Sequence, residues 1–66
     1  MQTPAKRAIF TVSHVTGGWA VEHDGIFTDT SPDKSIVMAS AAKRARAAMS
    51  QGEAVQVKVE GETGYF

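Results

Sequence analysis

A chain of 66 residues with no cysteine, in which seven basic side chains balance seven acidic ones, excludes several classes at the outset. Without cysteine there is no disulfide and no thiolate metal centre. Without a basic excess the chain lacks the charge footprint usual in nucleic-acid binders, and no apolar run approaches the ~20 residues of a membrane helix. Nor do the first residues carry the apolar run of a signal peptide, so the composition predicts a soluble, cytoplasmic protein. A single domain of residues 1–66 is expected, and a core of that size seldom supplies more than roughly 3–5 kcal/mol of net stability.

Residues 1–7 are polar, with an early proline, and read as a loose arm. From Ala8 to Val15 the chain alternates: Phe10, Val12 and His14 fall on one face, Ile9, Thr11, Ser13 and Val15 on the other. β-Branched and aromatic residues at period two predict a strand. The stretch HVTGGWAVEH follows, from His14 to His23, and reads as a hairpin. Either Thr16-Gly17 or Gly17-Gly18 forms its two-residue loop, because glycine adopts the positive φ such turns require. A loop at Thr16-Gly17 sets His14 opposite Trp19, Val12 opposite Val21 and Phe10 opposite His23, with Ala20 and Glu22 on the other face beside Ser13 and Thr11. Asp24-Gly25 is a second turn signal, and a short third strand is expected at residues 26–29.

Ser31-Pro32-Asp33 reads as a helix start, with Ser31 as the N-cap, Pro32 at the first helical position and Asp33 at the positive end of the dipole. The helix is expected to run to about Gln51 and stop at Gly52. Its apolar stripe is Val37, Met38, Ala41, Ala42, Ala45, Ala48 and Met49. Then AVQVKVE, residues 54–60, alternates, with Val55, Val57 and Val59 inward. Gly61 and Gly64 bracket a closing turn before Tyr65-Phe66, a pair able to fold back over the sheet. The order β-β-β-α-β, with a right-handed crossover, predicts a four-stranded mixed sheet of order 3-2-1-4 with one helix on one face.

The chemistry available to such a domain is narrow. His14 and His23 share a face, but their register separates them by roughly 13 Å, too far for one metal ion. No serine stands in a nucleophile elbow, and so small a domain offers little concave volume, so no catalytic residue is assigned and no cofactor or metal is expected. Gly17-Gly18 joins strand to strand, so no helix N-terminus faces a phosphate. Lys43, Arg44 and Arg46 cluster on the outer and flanking helix surface, with Lys6 and Arg7 in the arm, a patch suited to phosphate contact. On the open sheet face Ile9, Val15 and Phe27 interrupt an otherwise polar surface and suit self-association.

These elements resemble a bacterial family of domains of unknown function, number 2188. The likeness rests on Gly17-Gly18-Trp19-Ala20-Val21, on the alanine-rich helix from Ala39 through Ala48, and on Val55-Gln56-Val57-Lys58-Val59-Glu60-Gly61, and it spans residues 9–64. It departs at the helix start, where Ser31, Lys34 and Ser35 stand in place of a threonine followed by Glu-Ala, so a capping box is lost. The resemblance implies a small α+β domain and brings no activity. A second resemblance is to HicB-type antitoxins, which share the β-β-β-α-β order and a Gly-Gly-aromatic second strand and bind a ribonuclease toxin; the Pro-Gly-Cys turn of that family is replaced here by Asp24-Gly25-Ile26. The expectation is a non-enzymatic interaction module, a homodimer or the binder of a small protein partner. Nucleic-acid binding through the basic helix face and toxin neutralisation are the alternatives.

Overall fold

The computed structural model describes residues 7–61. The elements run β1 (Arg7–Val15), β2 (Gly18–His23), β3 (Ile26–Ser31), α1 (Lys34–Ser50) and β4 (Ala54–Val59). One sheet of order β3-β2-β1-β4 carries the helix. The N-terminal boundary differs from expectation by one residue: Arg7, assigned to the arm, opens β1, where it pairs with Ala54. The rest of the arm, and the C-terminal Tyr65-Phe66, lie outside the described residues.

The first hairpin takes the Thr16-Gly17 loop. His14 faces Trp19 and Val12 faces Val21, and Phe10 and His23 stack with ring centroids 4.6 Å apart. Gly18 is glycine for a reason of space. A Cβ there would lie 2.4 Å from Ser31 O and 2.6 Å from Pro32 Cα, because the end of β3 passes directly over it. The second hairpin turns at Asp24-Gly25, both at positive φ, as a type I′ turn requires. The Glu22 carboxylate accepts the Gly25 N–H at 2.7 Å.

β3 runs two residues further than expected. Its pairing with β2 shifts register between Val21↔Thr28 and Trp19↔Ser31, so two residues, Asp29 and Thr30, oppose Ala20. Asp29 sits at this bulge with φ 56°, a conformation that aspartate tolerates better than most residues. The longer strand moves the helix start. Ser31 is held in the ladder against Trp19, and Pro32 favours extended backbone in the residue before it. Asp33 is therefore the N-cap instead of Ser31, and its carboxylate accepts from Ser35 N at 2.9 Å. The Ser31 hydroxyl accepts the Asp33 N–H at 3.1 Å. Pro32 lies outside the helix, not at its first position.

The helix ends as its glycine demands. Gly52 N–H donates to Met49 O and Glu53 N–H to Ala48 O, the paired bonds of a Schellman motif, with Gly52 at φ 84°.

The core is one cluster: Ala8, Phe10, Val12, Val21, Val37, Ala41 and Ala45, with Trp19, Ala48, Val55 and Val59 packed against it. Val12, Val21 and Val37 are fully buried. Three expected core residues are exposed: Met38, Met49 and Val57. The alanines are the cause. They bring the helix axis close to the sheet, so only the narrow stripe of Val37, Ala41 and Ala45 touches it fully. Val57 keeps the predicted face beside Phe10, but it lies on an edge strand beyond the reach of short alanine side chains.

Candidate interaction surfaces

Four surfaces emerge, and the fold positions each. The first is the basic helix face. Turning about 100° per residue, the helix points Lys43 and Arg46 away from the sheet and Arg44 sideways toward β3. There the Arg44 guanidinium donates from Nε to Asp29 Oδ2. This hydrogen bond holds the Asp29 carboxyl below the usual carboxylate range, aided by the Arg44 charge and a Thr28 hydroxyl, against a smaller opposing cost of desolvation. The same bond raises the Arg44 guanidinium. Asp29, Ser40, Lys43, Arg44 and Ala47 line an open groove of about 330 Å³. The expected trio is therefore divided: Arg44 is spent on the bulge, which leaves Lys43 and Arg46 facing outward.

The second surface is the open sheet face. Ile9, Val15 and Phe27 share it, as expected, but the register keeps them apart. Phe27 pairs with Glu22, which pairs with Thr11, which pairs with Lys58, so polar residues fill the row between. Ile9 and Val15 lie at opposite ends of β1, about 20 Å apart at ~3.3 Å per residue. Ala20 is fully buried on this face outside the main cluster, opposite Ser13 and beside the bulge.

The third lies at the far end of the first hairpin. The His14 and Trp19 rings meet at a tilt of 35° with centroids 3.7 Å apart, and the Lys34 ammonium sits 4.9 Å from the Trp19 ring centroid. Glu60 accepts the His14 backbone N–H, and its carboxylate lies 3.8 Å from His14 Nδ1. His23 is engaged elsewhere: its Nδ1 is 3.1 Å from Ile9 O and its Nε2 is 3.4 Å from Asp24. Each histidine thus has its own neighbours, and no cluster of three or more metal-ligating side chains occurs among the described residues.

The fourth surface was not expected from the sequence. Since Arg44 points toward β3, helical geometry places Met38, Ala42 and Met49 on the opposite flank, above β4. Val57 lies below them on the same side of the sheet. The result is an apolar strip along the β4 edge, with Met38 41%, Val57 44% and Met49 60% exposed. The signal was present in the alanines: a helix with so little side-chain reach cannot cover four strands. Compared with protein-family models, curated proteins and solved structures, the chain gives no significant match. No helix among the described residues is long and apolar enough to cross a membrane.

Proposed function

We propose that this chain is a non-enzymatic, cytoplasmic protein-interaction module that works as a homodimer. One observation carries the reading: among the described residues, more large apolar side chains are exposed than are buried. The core has only Phe10, Val12, Val21 and Val37 as large buried residues, whereas Ile26, Phe27, Met38, Met49 and Val57 are exposed on the edge strands and the helix above them. Scattered exposed apolar residues are ordinary, but a strip of them beside an unpaired strand is a surface for association. A core of this size also gains from a partner.

The test is the solution mass. Light scattering or sedimentation velocity across a concentration series should give a species of twice the 7.0 kDa chain. A monomer that persists at high micromolar concentration would overturn the reading. A monomer retained on heparin at low salt would redirect it to nucleic-acid contact through Lys43 and Arg46.

A further inference from the structure

The geometry points to β4 as the seam of that homodimer: two copies pair their β4 strands antiparallel, with Val57 on the two-fold axis. This inference rests on the homodimer reading and names its interface.

The two edges of the sheet are unequal. At β3 the ladder is broken by the bulge, Asp29 sits at positive φ, and its side chain is tied to α1. Bulges and charges of this kind blunt an edge against further pairing. β4 has neither. It pairs with β1 in unbroken register from Ala54 to Val59, and its other side faces no strand among the described residues.

Which backbone groups are free follows from alternation. The Glu60 N–H donates to Val12 O at 2.8 Å, so Gln56 and Lys58, in phase with Glu60, also turn their N–H and C=O groups toward β1. Val55, Val57 and Val59 turn theirs outward. A two-fold axis at Val57 sets Val57 against its own copy and Val55 against Val59 of the second copy. Every outward valine then satisfies both backbone groups. An axis at Gln56 or Lys58 leaves one of these valines without a valine opposite, and an axis at Lys58 also sets two ammonium groups face to face.

Side chains favour the same register. On the helix face the valines of both copies form one row, flanked by Met38 and Met49 from each. On the other face Lys58 meets Gln56, so no like charges stand directly opposite, an arrangement that avoids a known penalty. Because the axis is perpendicular to the sheet, both helices lie on one side of a continuous sheet. An isologous contact of this kind closes on itself.

The absence of native cysteine makes single-cysteine probes clean. Val57 and its mate form a hydrogen-bonded pair with Cα atoms about 5.5 Å apart, inside the range a disulfide spans. Mild oxidation of Val57→Cys at low micromolar concentration should therefore give a covalent dimer, and Ile9→Cys or Val15→Cys should not. Val57→Pro removes only an outward N–H, which an edge strand tolerates. It should keep the monomer's circular dichroism while weakening self-association roughly tenfold or more. Gln56→Lys should weaken association and Gln56→Glu strengthen it, with the difference shrinking at high salt. If Val57→Pro fails to fold, the Gln56 pair and the crosslink still decide. A wild-type dimer with no Val57→Cys crosslink and no response to the Gln56 exchanges overturns this seam and leaves the homodimer reading standing. A monomeric wild type overturns both.

Discussion

Gly18 shows how one residue's identity follows from its neighbours. Its missing Cβ leaves room for the backbone at Ser31 and Pro32, and backbone cannot swing aside as a side-chain tip would. Gly18→Ala should therefore cost about 1–3 kcal/mol, the usual range for forced overpacking. In a domain of this size that lowers Tm by roughly 4–8 °C per kcal/mol. Thermal melts would read it directly, and an unchanged Tm would mean that the end of β3 does not cross here. The glycine pair was legible in the sequence as a turn. Only Gly17 serves the turn; the role of Gly18 was hidden, because it depends on a strand that arrives thirteen residues later and on a bulge that no alternation pattern records. The pairing of His14 with Trp19 was legible, since period two and a two-residue loop together fix a register.

At the scale of elements, the helix start is the instructive case. Ser31-Pro32 is a reasonable start signal by local preference. Tertiary pairing overrode it: the ladder to Trp19 kept Ser31 extended, and the cap passed to Asp33. The two positions respond differently to substitution. Asp33→Ala removes the acceptor for Ser35 N–H and the Ser35 hydroxyl and should reduce helicity and Tm. Ser31→Ala removes only a bond to the Asp33 N–H and should do less. A reversed order in thermal melts would restore Ser31 as the cap. The helix C-terminus is legible in the sequence because Gly52 acts through local geometry alone. The buried stripe is narrower than the periodicity predicts, limited to Val37, Ala41 and Ala45. Periodicity shows which way a side chain points, but not whether anything lies there, and Met38 and Met49 point past the rim of the sheet.

For the molecule as a whole, stability should depend on acid through two carboxylates. Asp29 is held low by its bond from Arg44, and Asp33 by its bonds from Ser35. Both bind protons less readily when folded than when unfolded, where aspartate titrates near ~3.9. Their contribution is complete above the unfolded value and is lost as pH falls through the folded one. The urea midpoint should thus drop below about pH 4, and Arg44→Gln should shallow that drop by releasing Asp29. If the wild type and Arg44→Gln trace the same curve, the ion pair is not formed in solution. The strand order was legible as a whole, because a helix between β3 and β4 leaves few ways to seat the last strand. The unequal edges were not, since they depend on where one aspartate bends.

That bend also sets an upper limit on size. A ribbon with two receptive rims would accept chain after chain and lengthen into a fibre. Here Asp29 kinks one rim and ties it to Arg44, so a single rim stays receptive. In the proposed dimer, joining two molecules consumes it on both, and the aggregate has nowhere left to grow.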